Sequence, residues 1–208
     1  MNKIVLDNEL YVLKNNISDI EINGDCTIYV INLVSENNIN IVLNDGASLR
    51  INDFNLNDKS INYNVEQTND TSFIYNHSFK ISGLYSLNMV VNINGNNNVN
   101  KVNIYGISNG DAKLIVDGIV KSGTVNNVLD ENIKVLTIGG KCFTRPMMHI
   151  NVKECIANHN TAISNVREDQ VFYLMSKGID RNTAVSIISD GYLYGLFKSD
   201  EEFLNRIK

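Results

Sequence analysis

Residues 87–94, Leu87-Asn88-Met89-Val90-Val91-Asn92-Ile93-Asn94, decide the fold class, because apolar side chains recur at every second position with asparagines between most of them. A period of two is typical of a half-buried β-strand, in which successive side chains point to opposite faces. Residues 61–65 show the same alternation of Ile, Tyr and Val with Asn. The pattern predicts a protein built mainly from short strands.

Turn-forming residues separate these strands. Clusters of Asn, Asp, Ser and Gly lie at 44–46, 95–98, 108–111 and 121–123, and these residues favour tight turns. A turn about every 8–12 residues suits a sandwich, a barrel or a β-helix. The β-helix is favoured because clean two-residue Asn-Gly or Asp-Gly hairpins are missing, and because stacked coils use ladders of Asn and short aliphatic residues. No strict repeat period is visible.

The composition agrees with this interpretation. The 208 residues suit one domain, or one large domain with a small appendage. Asn makes up about one residue in six and Ile about one in eight, with one Pro and no Trp. Scarce Ala, Arg and Gln beside many β-branched residues exclude a helical bundle or a coiled coil. The bias toward Asn and Ile is typical of an AT-rich genome.

The net charge and the cysteines limit which partners and which cellular compartment we expect for this protein. The formal net charge is -5 without a Lys/Arg cluster, so we expect no nucleic-acid partner. The sequence contains no run of about 18 apolar residues, so we expect no membrane span. Residues 1–7 do not resemble a signal peptide. The three cysteines, Cys26, Cys142 and Cys155, have no CxxC spacing. We therefore expect a reducing, cytoplasmic location.

The pattern changes to a helical period after about residue 165. Val171, Leu174 and Met175 predict a first helix that ends before Gly178. Asp180 is the expected N-cap of a second helix, and the capping box Ser199-Asp200-Glu201-Glu202 predicts a third. We divide the chain into a β core, 1–160, and a helical module, 161–208. Helices that follow an all-β region predict an α+β arrangement with the helices at one end.

The helical tail and the strand before it carry a recognisable motif. The run from His159 through Arg167-Glu168-Asp169-Gln170-Val171-Phe172-Tyr173-Leu174 to Gly178-Ile179 resembles the C-terminal signature of the SufB/SufD family. The string Thr144-Arg145-Pro146-Met147-Met148-His149-Ile150 is similar to the family's Thr/Ala-x-Pro-x-Leu-Glu-Ile string. The resemblance covers roughly residues 110–197 and is specific in its last part.

This resemblance implies a right-handed parallel β-helix with a small C-terminal helical module. It also implies a scaffold subunit for iron–sulfur cluster assembly that is not itself an enzyme. Its partners would be a SufC-like ABC ATPase and a second subunit, as a homodimer or as a heterodimer with a SufB-like paralogue. A transient cluster or iron would be the cargo. ATP would enter only through the partner, since the sequence has no Gly-x4-Gly-Lys-Ser/Thr string.

Three residues are candidate metal ligands. His159 matches the family histidine implicated in cluster assembly, and neutral imidazole binds iron; the alternative is a histidine that hydrogen-bonds a nearby turn. Glu131 stands where SufB-type members carry an essential cysteine, so it is either a carboxylate ligand or a solvated charge. Cys155 is either a ligand or a small buried hydrophobe. The missing thiol favours a short, SufD-like member.

The tail offers apolar residues for partner binding, which are Phe172, Tyr173, Met175, Ile187, Tyr192 and Phe197. They either cap the end of the β core, as solenoids require, or present a patch to the ATPase. Two other functions remain open. One is a degenerate, regulatory or structural homologue without cluster chemistry. The other is a β-helical carbohydrate-binding protein.

Overall fold

The computed structural model describes residues 3–14, 17–33 and 37–208, which contain fourteen strands and three helices. The strands are β1 (Lys3–Leu6), β2 (Leu10–Val12), β3 (Asp19–Ile22), β4 (Asp25–Ile31), β5 (Asn37–Leu43), β6 (Ser48–Asn55), β7 (Ser60–Gln67), β8 (Ser72–Ile81), β9 (Leu84–Ile93), β10 (Val99–Ser108), β11 (Asp111–Val120), β12 (Asn127–Thr137), β13 (Cys142–Ile150) and β14 (Cys155–Asn165). The helices are α1 (Glu168–Ser176), α2 (Arg181–Gly195) and α3 (Glu201–Ile207).

The strands form two parallel sheets of a solenoid. Odd-numbered strands pair in the order β1 to β13, which we call the odd sheet, and even-numbered strands pair from β2 to β14, which we call the even sheet. Each coil therefore contributes one strand to each sheet, and every strand pairs in parallel with its counterpart in the neighbouring coil. This architecture confirms the predicted mainly-β solenoid with a small helical module.

The coils lengthen along the chain, which explains why the sequence shows no strict period. Hydrogen-bonded residues in successive coils are 17 positions apart at Asn8 and Asp25. The separation is 24 at Asn38 and Asn62, and it reaches 30 where Asp111 accepts from the Lys141 N–H. The strands lengthen with the coils, from 4 residues in β1 to 11 in β14.

Asparagine ladders at one corner hold the coils together. The Asp45 carboxylate accepts from the Asn69 N–H, the Asn69 side chain from the Asn96 N–H, and the Asn96 side chain from the Val125 N–H, at 2.9, 3.0 and 2.9 Å. A short polar side chain is needed here because each one satisfies a backbone donor of the next turn. The high Asn content is typical of an AT-rich genome, but at this corner the asparagines also bind one coil to the next.

Aliphatic and aromatic side chains fill the solenoid. The inward positions of the strands alternate with outward ones, as in β9, where Tyr85, Leu87, Met89 and Val91 are all buried. Stacked rings run along β8, where Phe73, Tyr75, His77 and Phe79 follow one another at inward positions. Burial of this alternating set drives the coil to close on itself.

The helical module does not lie at the end of the β structure, as the sequence predicted, but packs on the outer face of the even sheet. That face carries Tyr29, Phe54 and Ile107, which would be exposed without cover. Leu193, Phe197 and Phe203 of the helices bury them. The need to cover this apolar outer face therefore determines the position of the helices. None of the described helices has the length and apolar character that a membrane crossing needs.

The helix ends follow local capping rules with one correction. Gly178 has φ +87° and its N–H donates to the Met175 carbonyl, so it ends α1 as predicted. Asp180 caps α2 by accepting from the Thr183 N–H. The N-cap of α3 is Asp200 rather than Ser199, because the Asp200 carboxylate accepts from the Phe203 N–H and also from Tyr29 and Asn52 of the sheet. Tertiary contacts therefore select the capping residue.

Candidate functional site

The open end of the solenoid brings two of the three predicted ligands together. His159 lies on β14, the last strand of the even sheet, and is in register with Glu131 on β12. Register partners on neighbouring parallel strands project to the same face. Glu131 is an inward position and buried, whereas His159 is exposed because β14 is the outermost strand. The two side chains form a candidate half-site at this end.

Glu131 sits in surroundings that disfavour its charge. Its Oε2 is buried without a hydrogen-bond partner among the residues that the structure describes. Gly118 faces it, and a Cβ on Gly118 would stand 3.2 Å from Glu131 Oε1. Burial, with a smaller contribution from the Asp117 charge, raises the pKa of Glu131 to about 8. With this pKa the carboxyl is largely protonated at neutral pH, so a cation that binds here must displace its proton.

Cys155 does not join this half-site. It lies on the same face of β14 as His159 but four positions earlier, and a strand rises about 3.3 Å per residue, so their Cα atoms are about 13 Å apart. Burial raises the pKa of the Cys155 thiol, and it raises the pKa of Cys142 to about 11. Protonated thiols are poor metal ligands. Within the described ranges, no group of three or more His, Cys, Asp or Glu residues could hold a metal ion.

The raised pKa of Glu131 predicts a pH-dependent gain in stability from Glu131→Gln in the metal-free protein. Folding raises this pKa from 4.5 to about 8, so the carboxyl costs nothing below pH 4.5 and an increasing amount up to pH 8. At pH 8 the free energy of unfolding of the variant should exceed that of the parent by on the order of 2–3 kcal/mol. Urea unfolding at pH 4, 6 and 8 measures this difference. The exposed Glu154→Gln is the control, and a Glu131→Gln difference that is independent of pH would contradict the prediction.

A second exposed region lies on α1 and α2. Phe172, Tyr173, Met175 and Ile187 are 61, 63, 39 and 47% exposed, and together we call them the α1–α2 surface. Two of them, Tyr173 and Ile187, border a groove of about 520 Å³ between the two helices. Exposed aromatic residues beside a groove are typical of a docking surface.

The other two residues predicted for partner binding hold the module in place. Tyr192 is half-buried and its ring lies 6.0 Å from that of Tyr105 on β10. Phe197 is 1% exposed and packs against Phe203. The six predicted residues therefore divide into four that face solvent and two that pack in the apolar cluster between the module and the even sheet.

The last coil also presents unpaired strand edges. In the described part of the chain, β13 and β14 end their sheets with a neighbour on one side only. Phe143, Ile150, Ile156 and Ile163 are exposed on these two strands. Long edges with apolar side chains are suited to pairing with another chain.

Sequence reasoning missed a buried polar group inside the solenoid. Asp53 and His77 are fully buried at inward positions of β6 and β8. The available signal was a charged or polar residue within an alternating apolar run, as in Phe73-Ile74-Tyr75-Asn76-His77-Ser78-Phe79. The sequence alone could not show which residues pair with them, because the partners lie on other strands.

Comparisons with known proteins agree with this architecture. Residues 23–192 match the family model described as SUF system FeS cluster assembly, SufBD core domain. Over 107 residues, half of this chain, it is 31% identical to the iron-sulfur cluster assembly SufBD family protein ycf24 of Porphyra purpurea and 27% identical to that of Pyropia yezoensis. The matched stretch spans 22% of each of these relatives. Over the same length it is 26% identical to the Galdieria sulphuraria protein, of which it covers 48%. Because the core-domain model matches most of its length, the chain belongs to the SufBD family, whose role is in iron–sulfur cluster assembly.

Proposed function

We propose that this chain is a non-catalytic scaffold subunit of a SUF-type assembly complex. The observation that carries the proposal is the open end of the solenoid, where His159 and buried Glu131 adjoin two unpaired strand edges. A second subunit that pairs with β13 and β14 would bring its own ligands to this half-site. Two residues are too few to hold a cluster, so completion by a partner is the simplest way to build one.

The α1–α2 surface is the proposed docking site for a SufC-like ABC ATPase. It is apolar, exposed and separate from the strand edges, so one chain could bind the ATPase and a second scaffold together. The module contacts β4, β6, β8 and β10 through buried side chains. A shift of the docked ATPase could therefore be transmitted to the solenoid through rigid packing.

Phe172→Asp tests the docking site. Placing a charge within an apolar interface should cost about 2 kcal/mol or more, which lowers affinity roughly 30-fold. Co-purification with the SufC-like ATPase of the same organism, followed by titration calorimetry, measures the loss. Leu84→Asp is the matched control, since Leu84 is 73% exposed on the solenoid. Equal ATPase affinity in the two variants would remove the α1–α2 surface from the proposal.

His159→Ala tests the cargo site. Anaerobic reconstitution of the assembled complex with iron and sulfide should yield roughly tenfold less bound iron in the variant, because one of the proposed iron ligands is lost. His149→Ala is the control, because His149 is exposed on β13 of the odd sheet and faces outward. Equal iron loading of His159→Ala and the parent would exclude His159 as a ligand. A complex that binds the ATPase but loads no iron in any form would favour the degenerate scaffold.

A further inference from the structure

Gly118 and Glu131 meet inside the solenoid, and each belongs to a column of buried residues that are in register from coil to coil. The column of the odd sheet reaches Gly118 after four aliphatic residues, which are Ile20, Ile41, Val65 and Val91. The column of the even sheet reaches Glu131 after four apolar residues, which are Ile28, Ile51, Tyr75 and Val102. One column therefore loses its side chain on β11, and the other gains a long carboxyl side chain on the next strand, β12.

The backbone does not require a glycine at position 118. Gly118 lies inside β11 and has no positive φ, so other residues fit its conformation. A glycine within a strand weakens that strand, because it loses more chain entropy on folding and packs no side chain. A Cβ at this position would stand 2.8 Å from Leu129 Cδ2 and 3.2 Å from Glu131 Oε1, closer than the ordinary contact of about 3.5–4.0 Å between non-bonded heavy atoms. Glu131 and Leu129 thus occupy the space of the missing side chain.

We propose that Gly118 is the positioning residue of the half-site, because its missing side chain leaves the niche that holds the Glu131 carboxyl inside the solenoid, on the strand next to His159. This inference rests on the proposed function, in which Glu131 and His159 bind the iron cargo. A valine at position 118, which the preceding coil has at Val91, displaces the carboxyl from this niche. Gly118 therefore acts on cargo binding through Glu131, without touching the cargo itself.

A second buried glycine, Gly106 on β10, provides a matched control. It also lies inside a strand without a positive φ, and a Cβ there would stand 2.1 Å from Phe79 Cζ. Phe79 is a core residue of β8 and takes no part in the half-site. Gly106→Ala therefore overpacks the same solenoid at an aromatic ring, whereas Gly118→Ala overpacks it at the Glu131 carboxyl. The comparison separates an effect on the site from a general effect on packing.

A double-mutant cycle tests whether Gly118 and Glu131 are packed against each other. Gly118→Val alone should lower the urea concentration at the midpoint of unfolding, because the added side chain overpacks the solenoid. Gly118→Val combined with Glu131→Val repeats the Val91 and Val102 pair of the preceding coil. This double variant should have a higher midpoint than the sum of the two single changes predicts. Changes in the midpoint that simply add would overturn the proposal.

The NMR signal of the Glu131 carboxyl carbon reports the position of this group directly. Its assignment follows from its disappearance in Glu131→Gln. The signal should move in Gly118→Ala and keep its position in Gly106→Ala, because only the first change adds a methyl group beside the carboxyl. A carboxyl signal that Gly118→Ala leaves unmoved would contradict the positioning role.

Iron loading tests the consequence for the cargo. In anaerobic reconstitution of the assembled complex with iron and sulfide, Gly118→Ala should bind roughly tenfold less iron, whereas Gly106→Ala should match the parent. Adding Glu131→Asp to Gly118→Ala should restore loading, because the shorter side chain makes room for the added methyl group. Equal loss in the two glycine variants, or loading that Glu131→Asp does not restore, would overturn the proposal. If the parent complex itself loads no iron, the proposed function fails, and the carboxyl signal and the double-mutant cycle still decide whether Gly118 positions Glu131.

Discussion

Replacement of Asp53 by alanine is expected to lower the free energy of unfolding by about 3–5 kcal/mol. The carboxylate accepts from Tyr63 and Tyr75 and lies beside His77. Its removal leaves the two tyrosine hydroxyls buried without their acceptor. It also removes the charge that partly offsets the effect of burial on the pKa of Lys59. A charge or donor left alone in the interior costs more than the lost bond itself.

Urea or thermal unfolding of Asp53→Ala at pH 7 measures this loss. Asp130→Ala is the matched control, because Asp130 is exposed on β12 of the same sheet and should change stability by less than about 0.5 kcal/mol. Burial raises the pKa of Tyr63, Tyr75 and Tyr85 far above the ordinary value, so they remain donors at pH 7. Equal stability of the two variants would show that the Asp53 interactions contribute no net stability.

Replacement of Phe203 by alanine is expected to release α3 from the even sheet. Phe203 is fully buried, and its ring lies 4.8 Å from that of Tyr29 and 4.7 Å from that of Phe197. Deleting a buried phenyl ring typically lowers the free energy of unfolding by about 3–5 kcal/mol, so we expect a loss of about 4 kcal/mol. A seven-residue helix cannot remain folded alone, so the loss should appear first as local opening of the module.

Hydrogen exchange distinguishes local from global effects of Phe203→Ala. Amides of α3 should exchange faster by roughly two orders of magnitude or more, while those of β8 and β10 change little, because their strand pairs persist. Leu204→Ala is the control, since Leu204 is only half-buried beside Phe203. A uniform rise in exchange across both sheets would instead show that module and solenoid unfold as one unit.

The module is also held by a polar contact that no local pattern reveals. Asp200 accepts from the Tyr29 hydroxyl at 2.9 Å and from the Asn52 side chain at 2.8 Å. The amide chain continues from Asn52 to Asn76 and Asn103 across three strands. The capping box in the sequence predicts Ser199 as the N-cap of α3. The partners on β4 and β6 select Asp200, and they lie far away in the sequence.

The candidate site was predictable in its residues but not in its geometry. His159 was found by its place in a family motif and Glu131 by its distance from Pro146, yet their adjacency depends on the register of β12 and β14. That register depends on how many residues the intervening coil contains. Since the coils lengthen along the chain, no fixed repeat could have predicted it. The same register places Cys155 beside Asn127, away from His159.

The amino-acid sequence by itself determined the strands, the Asn-rich turns and two of the three helix caps. These features depend on residues within a few positions of one another, through side-chain alternation, turn propensity and capping. Only the tertiary structure decided the pairing of Glu131 with His159, the hydrogen-bond partners of Asp53 inside the solenoid and the position of the helical module. Each of these joins residues on different strands or helices, and coil length and burial, rather than local propensity, bring such residues together.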